Sequence, residues 1–274
     1  MTHHLPDERG SMDAPTYLQE LFGVMGKSVI VTGASRGIGL AIAEGFVRAG
    51  AKTYICSRNA EACTVAASEL SAYGHCVGIP ANLGTVEGCH EFARAIASRE
   101  KSINVLVNNA GAIWAETLTE HAENGWDKVF DLNVKGTFFL VQALLPLLVS
   151  VASPEDPARI INIGSIDGFH VPAHETYAYS SSKAALHHLT RHLAAQLAKK
   201  SITANVIAPG MFKSKMLDGT LATKGEGRML EPVPLKRFVS PTDMAGAALY
   251  LASRAGSYVT GAVIPVDGGT ATTL

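Results

Sequence analysis

The chain has 274 residues, 47% of them hydrophobic and 17% charged, which excludes a disordered chain and leaves room for one or two domains. Its 23 Lys and Arg balance 24 Asp and Glu, for a net charge of −1. No bulk charge draws it to nucleic acid or to an anionic membrane, and neither partner is expected.

Residues 1–20 have no apolar signal-peptide core and read as a flexible leader, His3 and His4 included, ahead of a single domain over residues 21–274. Strands are predicted at Ser28–Val31, Thr53–Cys56, His75–Pro80, Ile103–Val107, Arg159–Ile163, Thr203–Ile207 and Ala262–Val266. Helical patterns fall between them at Arg36–Ala49, Asn59–Tyr73, Val86–Ser98, Gly125–Val149, Thr176–Lys199 and Pro241–Ala252. Ser240 is placed to cap the last of these, and Pro146 to kink the fourth. The most apolar stretch, Phe138–Ala152, is about fifteen residues long and interrupted by Gln142, Pro146 and Ser150, too short for a bilayer span. Strand–helix alternation with continuous apolar strands predicts a single α/β domain, a doubly wound parallel sheet covered on both faces.

Cys56, Cys63, Cys76 and Cys89 form no CxxC pair and have no histidine at zinc-like spacing. No metal is expected, and the thiols read as reduced in a cytoplasmic protein.

The first strand runs straight into Gly33-Ala34-Ser35-Arg36-Gly37-Ile38-Gly39 and a helix. Glycines allow a sharp turn and close approach of a ligand, and the free N–H groups of a helix start suit a pyrophosphate. The turn lacks the GK[ST] of a P-loop, so dinucleotide binding is the expectation. Asn108-Asn109-Ala110-Gly111, Gly164-Ser165 and Pro209-Gly210 sit at the ends of strands four, five and six, so all should open on one crevice with the glycine turn. Tyr179 and Lys183 are four residues apart on one helix face, where the ammonium should lower the phenol pKa and make Tyr179 a proton donor near neutral pH. Tyr177 lies about 120° away around the helix and serves as the contrast. The end of the second strand carries no acid for a ribose 2′-hydroxyl, whereas Arg36 and Arg58 offer two permanent cations to a 2′-phosphate, which predicts NADPH over NADH.

These motifs together (TGASRGIG, NNAG, INIGS, YSSSK, NVIAPG and VDGG, in that order) resemble the short-chain dehydrogenase/reductase family from about Lys27 to Gly269. The resemblance implies a Rossmann-like sheet of seven parallel strands and a catalytic set of Asn133, Ser165, Tyr179 and Lys183. Ser165 would bond the substrate oxygen, Tyr179 would be the acid, Lys183 would hold the nicotinamide ribose, and Asn133 would support a proton relay through its backbone. It also implies cofactor contacts at the glycine turn, at Asn109 and Gly111, and at Asn82 and Leu83, where Asn stands in place of the more usual Asp. Pro209 and Gly210, with Phe212 and Ser214, would frame the nicotinamide. Homotetramers or homodimers are common in the family.

Within it, PARIINIGS, YAYSSSKAALH, NVIAPG and Trp114 after NNAGAI are similar to bacterial 3-oxoacyl-[acyl-carrier-protein] reductases, including the ketoacyl reductase linked to rhamnolipid synthesis. Residues 211–237 read as a substrate lid with six cations against three anions, a charge that suits an anionic carrier of an acyl group. Trp114, Phe169, Met211, Phe212 and Met216 are candidates for an acyl slot. The alternatives are a secondary-alcohol dehydrogenase for a polyol, steroid or other small molecule, and a non-catalytic cofactor-binding protein. His170 and His174 read as loop histidines.

Overall fold

Short runs of Val and Ile, flanked by glycine turns and capped helices, pair side by side into one all-parallel sheet of order β3-β2-β1-β4-β5-β6-β7. The strands are β1 (Ser28–Thr32), β2 (Lys52–Cys56), β3 (Cys76–Gly78), β4 (Val105–Asn108), β5 (Ala158–Ile163), β6 (Ile202–Pro209) and β7 (Val263–Val266). The helices are α1 (Ala14–Phe22), α2 (Gly37–Arg48), α3 (Ala60–Ser71), α4 (Val86–Ala97), α5 (Glu123–Phe130), α6 (Thr137–Val149), α7 (Tyr177–Leu197), α8 (Glu226–Leu230) and α9 (Pro241–Ala252). The computed structural model describes residues 14–213, 221–223, 225–271 and 273.

Residues that alternate along each strand feed two cores. Val29, Val31, Val105, Val107, Ile161 and Ile207 pack with α2, α3 and α9 on one face. Ile30, Leu106, Ile160 and Ala204 pack with α4, α6 and α7 on the other. Burying both faces is what a parallel sheet requires, and side chains such as Phe46 and Phe92, fully enclosed, each contribute roughly 1.5–3 kcal/mol. Asn59 and Thr85 accept N–H bonds at the starts of α3 and α4. Ser240 and Asp243 form a reciprocal capping box at α9, each cap being worth about 1 kcal/mol. Strand order reverses between β1 and β4, so the crevice above their carboxyl ends is the switch point where ligands of such sheets bind.

Among the described residues, α1, α8 and the join between α5 and α6 depart from the sequence reading, α8 being a short helix inside residues 211–237, which read only as a lid. The expected leader is helical over Ala14–Phe22, lies beside the turn at Arg254–Gly256 and buries none of its own residues. Residues 1–13 lie outside the described residues. The helix expected over Gly125–Val149 is α5 and α6 joined by a π-helical turn at Asp131–Gly136. The whole run, Glu123–Val149, is long and apolar enough by length and composition to cross a membrane. In the fold, Leu140, Val141, Leu144 and Leu148 of α6 are buried in the sheet's second core.

Candidate active site

Thr32 closes β1 and begins the site. Its Oγ1 accepts N–H bonds from Asn109 and Ala110, both at 2.9 Å. Asn109 returns the tie, its Nδ2 donating to the carbonyls of Thr32 (2.9 Å) and Gly33 (3.1 Å). The side-chain amide of Asn109 thus holds the glycine turn against the end of β4, a positioning task beyond the ribose contact expected of it. Gly33 adopts φ +63° and Gly37 φ +59°, both left-handed. A Cβ on Gly39 would stand 2.4 Å from Asn109 Nδ2 and 2.6 Å from the carbonyl oxygen of Gly33. Arg36 precedes α2 in extended conformation and provides no side-chain cap, so the first N–H groups of that helix are left for a ligand. An uncapped helix start over a cradle that only glycine fits suits a pyrophosphate, and the residues present fit a dinucleotide.

Ser35, Gly37 and Ile38 are half-buried around this turn, and Arg36 and Arg58 are exposed beside it. The pairing of Thr32 with Cys56, and the bond from Ala34 N–H to the Cys56 carbonyl, put the end of β2 next to the turn. Asn82 is exposed beyond β3, its Oδ1 accepting from Gly84 N–H at 3.3 Å, and Leu83 is buried. Gly210 donates its N–H to the Val266 carbonyl and sits so close to Asp267 that a Cβ would approach the Asp267 Cα to 2.8 Å. Pro209 ends β6. The Phe212 side chain is buried in the core, bridged by backbone to Val239. Ser214 and Met216 lie outside the described residues.

The catalytic residues expected from the resemblance converge at the ends of β5 and α7. Ser165 leaves β5 in extended conformation and caps a short 3₁₀ turn, Ile166–Gly168, its Oγ accepting from Asp167 N–H at 3.1 Å. The Ser165 hydroxyl also faces the phenol of Tyr179 and favours its ionised form. Lys183 is buried, donates to the Ile163 carbonyl at 2.8 Å and holds Nζ 5.6 Å from the centre of the Tyr179 ring. Gly111 stands against this ammonium: a Cβ there would lie 3.7 Å from Nζ. Tyr177 points outward and bonds Glu175 Oε1 at 2.9 Å.

Asn133 sits inside the π turn and is 1% exposed. Its Oδ1 accepts from Ala112 N–H (2.8 Å), and its Nδ2 donates to the Ala112 carbonyl (3.0 Å) and to Ser182 Oγ (2.9 Å). Ser182 in turn donates to the Tyr179 carbonyl at 2.7 Å. The extra residue of the π turn is what aims this amide at both the β4 loop and α7, and such turns recur at functional sites.

One expectation is corrected. The Tyr179 phenol is pushed up to about 12, not down. Desolvation of the phenolate dominates, Ser165 opposes it and the Asp167 carboxylate adds to it. Lys183 makes no hydrogen bond to the phenol: its ammonium stands 5.6 Å from the ring centre and donates to the Ile163 carbonyl. Burial lowers Lys183 itself to about 8, with Asp167 working against that shift.

Asp167 and His187 are site residues the sequence reading missed. His187, four residues after Lys183 and so on its face of α7, is 4% exposed and pushed down to about 4 by burial and by Lys183 and Arg191. Its ring packs under the serine turn, where a Cβ on Gly164 would lie 2.3 Å from Nε2 and one on Gly168 2.4 Å from Cε1. The four-residue spacing from Lys183 was the available signal.

The lid retains little free charge among the described residues. Lys213 pairs with Glu226 at 2.8 Å, Arg237 forks onto Asp243 at 2.5 and 3.1 Å, and Lys236 bonds the Glu231 carbonyl at 2.6 Å. Trp114 packs against Gly125 with Lys128 Nζ 4.8 Å over its ring, and Phe169 leans on His187. Met211 is half-buried.

The family model described as enoyl-(acyl carrier protein) reductase matches residues 33–271. The chain is 46% identical over 252 residues to the rhamnolipids biosynthesis 3-oxoacyl-[acyl-carrier-protein] reductase of Pseudomonas aeruginosa, covering 90% of this chain and 97% of that one. It is 37% identical over 250 residues to the 3-oxoacyl-[acyl-carrier-protein] reductase FabG of Staphylococcus epidermidis, covering 89% and 99%. Among solved structures, the Pseudomonas aeruginosa RhlG/NADP active-site complex superposes with a TM-score of 0.89 at 45% identity, covering 92% of this chain and 99% of that one. With the seven-stranded sheet, the glycine turn and the serine–tyrosine–lysine cluster in place, the chain belongs to the short-chain dehydrogenase/reductase family of enzymes.

Proposed function

We propose that the protein is an NADPH-dependent reductase of 3-oxoacyl thioesters. The observation that carries the chemistry is the meeting of Ser165, Tyr179 and Lys183 beside the uncapped start of α2. The substrate class follows from relatives named as 3-oxoacyl-[acyl-carrier-protein] reductases over nearly their whole length. Preference for NADPH is supported by Arg36 and Arg58, which have no ion-pair or side-chain hydrogen-bond partner among the described residues and flank a β2 end that lacks an acid.

Bound NADPH supplies the hydride that adds to the 3-keto carbon. The Ser165 hydroxyl donates to the ketone oxygen, and Tyr179 Oη delivers its proton there as negative charge develops, giving the 3-hydroxyacyl thioester. Lys183 holds positive charge beside the ring, and Asn133 fixes the β4 loop to α7 around it. Residues 211–237 are the candidate substrate lid, with Trp114, Phe169 and Met211 the described candidates for the acyl slot. Because three of its described cations are already engaged, electrostatic steering of the carrier is modest and rests on Arg228 and on Lys215 and Lys224, the last two outside the described residues.

Exposed Trp126 on α5, stacked on Phe130, and exposed Phe138 on α6 support assembly as a homodimer or homotetramer. Four free, buried thiols suit a cytoplasmic protein. Turnover of 3-oxoacyl coenzyme A and carrier-protein thioesters, polyols and steroids with NADPH and NADH tests the function. Turnover of a polyol or steroid, with none of any 3-oxoacyl thioester, would replace it with the alcohol-dehydrogenase reading.

A further inference from the structure

His187 is a buried imidazole that the mechanism above does not use, and it lines a groove of about 430 Å³ between α7 and the edge strand β7. Gly168 and Phe169 at the serine turn, Ala184 and Arg191 on α7, and Val263 and Pro265 on β7 complete the walls. His187 is 4% exposed, and neither ring nitrogen has a hydrogen-bond partner among the described residues. Nε2 is crowded from one side, since a Cβ on Gly164 would stand 2.3 Å from it and 2.6 Å from Val206 Cγ1. The Nδ1 edge meets Gly168, where a Cβ would lie 2.8 Å from Nδ1. A proton carried on Nδ1 is therefore the one within reach of the groove. Arg191 follows His187 by four residues, on the same face of α7. It is exposed and has no ion pair or hydrogen bond among the described residues. The exposed ring of Phe169 leans on His187, with the two centroids 5.8 Å apart.

From this arrangement we propose that the groove binds an amphipathic monocarboxylate of the fatty-acid kind: Arg191 forks onto the carboxylate, His187 donates to it from Nδ1, and the tail lies on Phe169, Val263 and Pro265. The charge sets the class. Arg191 is the only cation among the lining residues, and burial keeps His187 neutral near pH 7. One negative charge is matched, and a phosphate dianion is not. A guanidinium presents paired N–H donors to the two oxygens of a carboxylate. A buried imidazole without a partner is destabilising, and a carboxylate oxygen at Nδ1 relieves it. The other walls are apolar, and a concave site with apolar walls and a few convergent polar groups is the usual form of a small-molecule site. The groove is separate from the reacting atoms, because Arg191 stands about 18 Å beyond Tyr179 along the axis of α7. The two meet only at the serine turn: Ser165 caps it, and Gly168 and Phe169 at its far end line the groove.

The inference does not depend on which ketone is reduced, and its readout is binding, so its failure is distinct from failure of the reductase reading. Calorimetric titration of the full chain with decanoate is expected to show one site per chain. Arg191→Ala should weaken that binding by at least about tenfold, the effect of losing a charged hydrogen-bonding partner. Arg191→Lys, which keeps the charge and loses the fork, should fall between the two. Decanol, a tail without a charge, and acetate, a charge without a tail, should each bind at least about tenfold more weakly than decanoate. Inorganic phosphate should bind no better than acetate. Without decanoate, Arg191→Ala should match wild type in kcat/KM for NADPH-dependent reduction of any ketone that turns over. No binding of decanoate to wild type would overturn the proposal. Equal binding to wild type and Arg191→Ala would overturn it too, by placing the acid elsewhere, the acyl slot included. A fall in ketone reduction in Arg191→Ala would do the same by tying Arg191 to the reaction. So would a changed oligomeric state of that variant by sedimentation with decanoate binding intact, since the groove would then be an interface between copies of this chain.

Discussion

Replacing Asn133 by alanine removes the side chain whose amide ties the β4 loop to α7 from the π turn. Three hydrogen bonds vanish, two to the Ala112 backbone and one to Ser182. Each is worth about 1 kcal/mol net. Ser182 keeps its bond to the Tyr179 carbonyl, but the N–H and carbonyl of half-buried Ala112 lose their partners, and stranded backbone groups cost about 1 kcal/mol more. A loss of about 3–4 kcal/mol lowers the melting temperature of a 274-residue chain by roughly 5–7 °C. Thermal unfolding at fixed protein concentration, without and with NADPH, checks it. Because the lost bonds also hold Ala112 beside Gly111 and the Lys183 ammonium, NADPH affinity falls too. Asn133→Asp keeps the acceptor for Ala112 N–H but turns a carboxylate toward the Ala112 carbonyl, so it is at least as destabilised as the alanine variant near neutral pH. A melting temperature for Asn133→Ala within about 2 °C of wild type would refute the reasoning, because it would mean the network contributes under 1 kcal/mol.

Tyr179→Phe should lower kcat by at least about 100-fold with NADPH binding retained, whereas Tyr177→Phe, which loses only a solvent-side bond to Glu175, stays near wild type; steady-state rates rank the two. Gly39→Ala forces a Cβ into Asn109 and the Gly33 carbonyl. At about 1–3 kcal/mol of overpacking, it should weaken NADPH binding roughly 5- to 150-fold by fluorescence titration. Arg58→Ala should shrink the ratio of kcat/KM for NADPH over NADH, and an unchanged ratio would remove Arg58 from 2′-phosphate recognition. His187 is buried neutral at about 4, below its unfolded value near 6.5, so the folded state binds fewer protons there. That contribution is complete above about pH 6.5 and is lost as pH falls toward 4. Urea unfolding of His187→Phe should lose less stability than wild type across that window.

Every strand was legible, with α2, α3, α4, α7 and α9, and with α5 and α6 read as one helix, because hydrophobic period and turn chemistry agree there: Val29 and Val31 go to one core and Ile30 to the other, and Gly33 and Ser240 mark the boundaries. Tyr179, Lys183 and Ser165 were readable from spacing and from their place at strand ends. The π turn was not. Asp131–Gly136 has ordinary helical composition, and one extra residue leaves no sequence signature unless the apolar faces of α5 and α6 are compared for phase. α1 was missed because its residues bury nothing, so no core-facing pattern announces it. The sign of the Tyr179 shift was misjudged because the argument counted a charge and left out desolvation, a quantity spacing cannot report.

The π turn also constrains how this chain can vary in length. A π turn holds one residue more than regular α-helix, and each residue turns the helix by about 100°. Deleting a single residue within Asp131–Gly136 would relax the turn into unbroken helix. That deletion removes only the residue the wide turn absorbs, so Leu140, Val141, Leu144 and Leu148 stay on the sheet; straightening the turn with every residue kept would instead rotate them by about 100° toward solvent. The apolar register of thirteen downstream residues in α6 is thus written for a helix with a slipped turn. A one-residue deletion there would therefore cost the aim of the Asn133 amide at Ala112 and Ser182 while leaving the packing of α6 in register, which separates the site from the core.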